Sequence, residues 1–325
     1  MEYRTLGRTG IRVSAIAFGA GPVSGWMDDL SPDAQCAVIQ RALDLGINWL
    51  DTAAGYGNGQ SEAGLGRAFA HLGLPDGVYV ATKVRYPEGR LGDIREYTRE
   101  SVEASLGRLG MRRVTLLQLH NLITMRRGDK PTSITPEEVL RKGGVLEVFR
   151  ELQAEGLIWH LGLTGIGRPA ALRVVVESGG FDTIQVPYNL LNPSAGHQMS
   201  ESFTDTNYGN IMTDCAAQCM GVFAIRVFAG GALLGAPPSA HTLKTPFFPL
   251  ALYERDARRA GALAALLSAG LSMQAAALRF ALAHPHVTSA LAGFRTPAEV
   301  DQAVSALFSP PLPDGLLAAI GGGRQ

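Results

Sequence analysis

Short runs of apolar residues alternate along the chain with longer segments in which apolar residues recur every three or four positions. The runs are typical of buried strands, and the longer segments are typical of helices packed on them. Residues 1–14 are predicted to form a β-hairpin that turns at residues 8–10 (RTG). The predicted inner strands end, in chain order, near residues 18, 51, 83, 120, 164, 186, 226 and 292. Helices are expected over about 31–45, 61–71, 98–109, 136–155, 169–178 and 297–307.

Eight strands in one unbroken alternation with helices predict an α/β protein, a single (β/α)8 TIM barrel over residues 1–325. The main rival is a doubly wound sheet, which would carry Gly-x-Gly-x-x-Gly between its first strand and helix. Residues 19–25 (GAGPVSG) miss that spacing by one position, and the proline prevents a helical start there. The barrel is therefore favoured.

Three connections, residues 121–135, 189–210 and 230–250, are unusually long. Loops of that length in a compact domain usually cover or bind a ligand. Each follows a strand, so all three are expected at the C-terminal rim of the barrel. The tail, residues 315–325, is expected to be flexible.

Composition narrows the class of function. The formal net charge is +0 with no basic block, so nucleic acid is not an expected partner. No run approaches the roughly 18 apolar residues of a membrane span, and the amino terminus lacks the apolar stretch of a secretory signal. An odd count of 3 cysteines suits a reducing compartment. These features predict a cytoplasmic protein that acts on a small molecule, without a membrane partner, and they leave the oligomeric state open.

Four ionisable side chains fall at the predicted strand ends. Asp51, Lys83 and His120 each directly follow an apolar run, and Tyr56 lies in the loop after Asp51. In a parallel barrel these ends share one rim, where active sites are built. We therefore expect a carboxylate, a phenol, an amine and an imidazole to converge on one pocket.

Such a group suits the interconversion of a carbonyl and an alcohol. An ammonium beside a phenol favours the phenolate, which fits the phenol for proton exchange with a substrate oxygen. Asp51 would hold Lys83 charged, and His120 would orient the substrate oxygen; hydride transfer would need a redox cofactor. Each residue alone also has an ordinary structural interpretation, as a turn cap, a rim aromatic or a core histidine. A metal-dependent hydrolase is disfavoured, because only Asp51 and His120 would qualify as ligands.

Residues 51–57 (DTAAGYG), 81–83 (ATK) and 117–120 (LQLH) resemble the signature segments of the aldo-keto reductase superfamily, as do residues 6–10 (LGRTG). The resemblance spans nearly the whole chain. It implies a (β/α)8 barrel that binds a nicotinamide cofactor, usually NADP, in an extended pose without a Rossmann motif. It also implies that Tyr56 is the general acid/base, that Lys83 and Asp51 tune it, and that His120 orients the substrate.

The resemblance implies cofactor contacts from strands one, five and six. Gly19 and Ala20 are expected at the cofactor. The family's Ser-Asn after strand five reads Thr164-Gly165 here, so the hydroxyl is kept and the side-chain amide is lost. Gln185 matches the family's glutamine on the nicotinamide amide.

Strands seven and eight depart further from the family pattern. After strand seven the usual Tyr-Ser-Pro-Leu reads IRVF, which places Arg226 and Phe228 at the cofactor, with Arg226 near the pyrophosphate. The alternative is that Arg226 pairs with a nearby carboxylate. After strand eight, backbone amides at a helix start would meet a phosphate, and the residues implied there are Gly293, Arg295, Thr296 and Glu299. Arg295 would accept the adenosine 2′-phosphate and Glu299 would lie near the adenine, which favours NADP and leaves NAD as the alternative.

The substrate is less defined. Residues 164–165 and 226–233 resemble the aldose and sugar dehydrogenase branch, which oxidises the anomeric hydroxyl of pyranoses, while a general aldehyde or ketone reductase is equally open. Trp26, Tyr86 and Asn121 are candidate substrate contacts, although Trp26 could equally only pack. The alternative function is that of a redox-sensing, cofactor-binding regulatory subunit of a membrane channel, with slow turnover.

Overall fold

Eight parallel strands close into a barrel in the computed structural model, which describes residues 1–27 and 29–321. The chain begins with an antiparallel hairpin of β1 (Tyr3–Thr5) and β2 (Arg12–Ser14). The barrel strands are β3 (Ile16–Gly19), β4 (Trp49–Asp51), β5 (Tyr79–Val84), β6 (Val114–Leu119), β7 (Ile158–Thr164), β8 (Thr183–Pro187), β9 (Gly221–Ile225) and β10 (Ser289–Ala292). Neighbours in the chain pair with each other, and β10 closes the barrel against β3. The predicted barrel and amino-terminal hairpin are confirmed.

Helices surround the barrel between successive strands. They are α1 (Pro32–Asp44), α2 (Gln60–Leu72), α3 (Ile94–Leu109), α4 (Pro136–Leu140), α5 (Val145–Ala154), α6 (Pro169–Glu177), α7 (Ile211–Ala217), α8 (Leu250–Ala264), α9 (Met273–Ala283), α10 (Pro297–Ser305) and α11 (Asp314–Gly321). Ser31 caps α1 by accepting from the amide of Ala34, with Pro32 in the first turn, as its sequence predicts.

Two predicted segments differ from the structure. The helix expected over 136–155 is divided into α4 and α5, because the chain turns at Gly143, whose φ is +70°. Residues 315–321 of the predicted flexible tail belong to α11, where Leu316 is buried. Residues 322–325 of that tail lie outside the described residues.

The hairpin closes the amino-terminal end of the barrel. Leu6 and Val13 join barrel residues, among them Trp49 and Phe223, in a buried cluster inside the strands. The rings of Trp49 and Phe223 lie 4.8 Å apart, centroid to centroid. With this end filled by apolar side chains, the carboxyl ends of the strands form the open rim.

The three long connections leave this rim after β6, β8 and β9, as predicted. The last of them, the β9–α8 loop (residues 226–249), contains a 3-10 turn at Ala229–Leu234 and runs to the start of α8. No helix within residues 1–27 and 29–321 is long and apolar enough to cross a membrane.

Candidate active site

A buried ion pair joins the ends of β4 and β5. Lys83 and Asp51 are each 1 % exposed, and Lys83 Nζ donates to Asp51 Oδ1 and, at 2.8 Å, to the carbonyl of Thr52. Burial lowers the pKa of Lys83, but attraction to Asp51 and Tyr56 outweighs it, so the net pKa lies above its ordinary value. The lysine is therefore held as an ammonium in the interior of the rim.

Two glutamine amides fix the other oxygen of Asp51. Asp51 Oδ2 accepts from Gln185 Nε2 at 2.6 Å and from Gln118 Nε2 at 3.0 Å. These charge-assisted bonds from β8 and β6 hold the carboxylate across the barrel. Gln118 was not singled out in the sequence, although it lies two positions before His120 and so shares its side of the strand.

Tyr56 lies where the ammonium and the imidazole meet. It begins the 3-10 turn Tyr56–Gly59 after β4, and its Oη lies 3.3 Å from Lys83 Nζ. Its ring contacts His120 edge to face, with centroids 5.5 Å apart at 83°. A Cβ added to Gly21 would lie 3.6 Å from this ring, so the chain passes close to the phenol without a side chain.

His120 is neutral in this setting. Burial lowers the pKa of the imidazole well below its ordinary value, and the positive charges of Arg85 and Lys83 lower it further. Its backbone N–H donates to Val84 O at 2.8 Å, which fixes the residue at the end of β6. Neither ring nitrogen of His120 has a hydrogen-bond partner among the described residues. The structure thus brings the four predicted side chains together, while their catalytic roles stay predictions.

The end of β7 has features that fit a cofactor amide. Thr164 Oγ1 is buried and has no hydrogen-bond partner among the described residues. A native protein rarely leaves a buried hydroxyl unpaired unless something else binds it. A Cβ on Gly165 would lie 2.7 Å from Val186 Cγ1, so only glycine lets this segment lie so close to β8.

Gln185 and Ala20, two of the predicted cofactor contacts, both donate hydrogen bonds to Asp51. Gln185 donates one N–H of its side-chain amide to Asp51 Oδ2. Ala20 is fully buried and donates its N–H to Asp51 O at 2.9 Å, beside Gly19 at the end of β3. These residues shape the wall of the site and support Asp51.

Arg226 has no carboxylate partner among the described residues. It follows β9 with a left-handed backbone (φ +54°), and its guanidinium stacks on the ring of Phe248 at 3.8 Å. Burial lowers the pKa of Arg226, and the nearby Tyr208 and Asp256 oppose this. The predicted alternative, an ion pair, is not observed. Phe228 is half-buried and packs against the core at the start of the 3-10 turn.

The predicted phosphate site at α10 is occupied by side chains of the protein itself. Thr296 caps the helix by accepting from the amide of Glu299 at 3.2 Å. Glu299 Oε2 accepts from the amide of Arg295 at 2.6 Å, and the Arg295 guanidinium lies 3.4 Å from Asp29. Both partners of that ion pair are half exposed, which makes it weak. A Cβ on Gly293 would lie 2.8 Å from Ser24 Cβ.

The three predicted substrate contacts, Trp26, Tyr86 and Asn121, are buried in the structure. Trp26 is fully buried and packs edge to face on Phe18. The Tyr86 hydroxyl lies 2.6 Å from Thr98 Oγ1, also in the interior. Asn121 uses its amide to accept from Tyr86 N–H and to donate to Tyr86 O, both at 2.9 Å. The side-chain amide of Asn121 thus joins the loops after β5 and β6, whereas Trp26 Nε1 has no hydrogen-bond partner among the described residues.

Comparison with known proteins agrees with this geometry. Residues 15–321 match the model of the Aldo/keto reductase family. An L-galactose dehydrogenase of Arabidopsis thaliana is 30% identical over 312 residues, covering 94% of this chain and 88% of the relative. A D-threo-aldose 1-dehydrogenase of Pseudomonas sp is 28% identical over 320 residues, covering 90% and 89%. The solved aldo-keto reductase AKR11C1 from Bacillus halodurans, in its holo form, aligns with a TM-score of 0.73 at 23% identity, covering 100% of this chain and 97% of that one.

The chain therefore belongs to the aldo/keto reductase family. It is an NAD(P)-dependent oxidoreductase of the aldo-keto reductase and aldose dehydrogenase type.

Proposed function

We propose that this protein interconverts a carbonyl and an alcohol with NADP, that Tyr56 is the general acid/base, and that an aldose sugar is the favoured kind of substrate. The observation that carries the proposal is the position of Tyr56 Oη, 3.3 Å from a buried ammonium and beside the unengaged imidazole of His120. When bound, the nicotinamide cofactor supplies or accepts the hydride.

Tyr56 moves the proton. In reduction its hydroxyl gives a proton to the carbonyl oxygen, and in oxidation its oxygen takes one from the substrate hydroxyl. Lys83 stabilises the phenolate that remains after reduction, because its ammonium is fixed by Asp51 and by Thr52 O. The neutral imidazole of His120 carries one N–H, which can donate to the substrate oxygen and orient it.

Residues of β7, β9 and β10 would hold the cofactor. The unpaired Thr164 Oγ1 suits the carboxamide of the nicotinamide. Arg226, half-buried and without an ion pair among the described residues, suits the pyrophosphate. Arg295 suits a 2′-phosphate, since its exposed contact with Asp29 is weak enough to exchange.

The substrate class is proposed from two relatives. One is named for L-galactose and the other for D-threo-aldoses, and both cover most of this chain. A general aldehyde or ketone reductase and a slow, redox-sensing regulatory subunit are the alternatives that measurement would separate.

The test is an assay of the purified protein in the presence of a chelator. NADP+ and NAD+ are offered with a panel of aldoses, and NADPH and NADH with simple aldehydes and ketones. We expect turnover with aldoses and tighter binding of NADPH than of NADH. Turnover of aldehydes but not of aldoses would show that the protein is a general aldehyde reductase and not a sugar dehydrogenase. Cofactor binding with no turnover would favour the regulatory alternative, and absence of binding would contradict the proposed reaction.

A further inference from the structure

Arg85 is a half-buried cation without an anionic partner among the described residues. It follows β5 directly, two positions after Lys83, and its backbone carbonyl accepts from Tyr97 Oη at 3.1 Å. Its guanidinium makes no ion pair with any described carboxylate, and its Nε is buried with no hydrogen-bond partner among the described residues. By contrast, Arg108 on α3 lies 2.7 Å from the buried carboxylate of Glu62.

A guanidinium that is partly buried without an anionic partner destabilises the protein. Burial lowers the pKa of Arg85, and attraction to Tyr56 opposes this only in part. Leaving a buried donor and its charge uncompensated reduces stability, so such a group usually has a partner in the working protein. We therefore expect the guanidinium of Arg85 to bind an anion.

The position of Arg85 assigns that charge to the substrate rather than to the cofactor. Its charge lowers the pKa of His120 and interacts with Tyr56, so it lies near the reacting groups. It comes from β5, whereas the residues suited to the cofactor come from β7 to β10, on the other half of the barrel. The candidate phosphate partners, Arg226 and Arg295, belong to that other half.

The guanidinium is also held in one orientation. Its carbon lies 5.0 Å from the centroid of the Phe247 ring, on the β9–α8 loop. Stacking occupies a face of the planar group, so a planar anion would bind at its N–H edge. Guanidinium groups bind carboxylates in this forked, two-bond geometry.

We propose that Arg85 is a specificity-determining residue that binds a carboxylate of the substrate. The favoured substrates would then carry a carboxylate besides the reacting carbon, as uronic acids and aldehyde acids do. This inference rests on the proposed function, because it places the anion beside Tyr56 and His120.

The experiment compares matched pairs that differ in one negative charge. D-galacturonate and D-galactose are offered for oxidation, and 4-oxobutanoate and 4-oxobutanamide for reduction. Because a hydrogen bond to a charged group contributes enough for about a tenfold preference or more, we expect kcat/KM to favour the carboxylate member by that factor. Arg85→Met should lower kcat/KM for the carboxylates by about 10- to 100-fold and leave the neutral members within about threefold.

Arg113→Met is the matched control. Arg113 also stacks on an aromatic ring, that of Trp159 at 5.0 Å, but it is exposed and precedes β6 at the far end of the barrel. This variant should keep the wild-type preference. Equal losses on both members of a pair in Arg85→Met, or no preference in the wild-type protein, would overturn the inference.

A binding measurement separates this inference from the proposed function. Succinate and succinamide are titrated into the protein with NADP+ present, followed by calorimetry. We expect succinate to bind the wild-type protein and Arg85→Met to lose most of that affinity; equal binding to both would overturn the role of Arg85. Lack of turnover of all four substrates and of the neutral 4-nitrobenzaldehyde would instead count against the proposed function.

Discussion

Among single residues, Lys83 has the largest part in positioning Asp51 and Tyr56. Its ammonium has three hydrogens, and three acceptors surround it: Asp51 Oδ1, Thr52 O and Tyr56 Oη. Two of these acceptors fix the nitrogen in place, and the third is the phenol that exchanges the proton. No hydrogen remains for other partners, so the lysine has one stable orientation.

His120 predicts how stability depends on pH. Burial and the charges of Arg85 and Lys83 place the pKa of folded His120 below its ordinary value, so the unfolded chain takes up the proton first on acidification. Stability should therefore be greatest above about pH 6.5, the ordinary histidine value, and fall as the pH drops below it. We expect denaturant midpoints to fall less between pH 7.5 and 5.5 in His120→Asn than in the wild-type protein. The remaining histidines are present in both proteins and serve as the internal control. An equal fall in the two proteins would contradict the lowered pKa of His120.

Thr164 offers a test of the cofactor site that leaves the fold intact. Because its hydroxyl is buried without a partner, Thr164→Val should keep or slightly raise the free energy of unfolding. Loss of one hydrogen bond should weaken NADPH binding by about fivefold. The measurement is a fluorescence titration beside a denaturation curve.

Thr183→Val provides the matched control for that experiment. Thr183 Oγ1 is likewise buried without a partner, but Thr183 begins β8 at the opposite end of the barrel. Cofactor affinity should be unchanged in this variant. If Thr183→Val weakened the cofactor as much as Thr164→Val, the hydroxyl of Thr164 would not be a cofactor contact.

At the scale of elements, the β9–α8 loop crosses the mouth of the barrel. Phe247 stacks on Arg85 after β5, while the adjacent Phe248 stacks on Arg226 after β9. These two strands lie on opposite sides of the closed barrel. Two consecutive residues therefore connect both sides of the rim, and the loop covers the site between them.

This arrangement predicts that the loop controls cofactor release. Because a desolvated cation–π contact contributes up to about 2 kcal/mol, Phe248→Ala should speed NADPH dissociation by about 3- to 30-fold. Stopped-flow displacement measures the rate. Phe308→Ala, at a residue that is 77% exposed, is the control and should leave it unchanged. An unaltered rate in Phe248→Ala would mean that the loop does not retain the cofactor.

The sequence predicts strands and strand ends better than it predicts loops, for physical reasons. Asp51, Lys83 and His120 could be placed because a polar residue directly after a buried run marks the rim of a parallel barrel. Helices α7 and α8 were missed because they follow long, irregular loops, and α9 was missed although Ser272 caps it. The folding back of Glu299 onto Arg295 depends on helix-end geometry, which no periodic pattern encodes.

The burial of aromatic residues was also hard to predict from the sequence. Trp26 and Tyr86 follow barrel strands in the sequence, as rim residues do, yet both are fully buried. Phe247 and Phe248, in an irregular loop, contact Arg85 and Arg226 instead. Contacts of this kind join residues distant in the chain, so a single sequence does not reveal them.

In the whole molecule, only the carboxyl-terminal end of the barrel is open for a functional site. The β1–β2 hairpin fills the other end with the apolar side chains of Leu6 and Val13. Strands from around the barrel deliver the lysine, the carboxylate and its two glutamines to one rim. Tyr56 contacts this network through Lys83, and the proposed reaction depends on proton transfer by its hydroxyl.

The most direct test of that claim is Tyr56→Phe, which keeps the ring and removes only the hydroxyl. We expect kcat to fall by at least about 100-fold, as for loss of a proton-transfer group, while the Kd for NADPH is unchanged. Tyr3→Phe is the control, because the Tyr3 hydroxyl bonds Gly46 O at the hairpin, at the opposite end of the barrel from the rim. Near-normal turnover in Tyr56→Phe would contradict the assignment of the acid/base and with it the proposed reaction path.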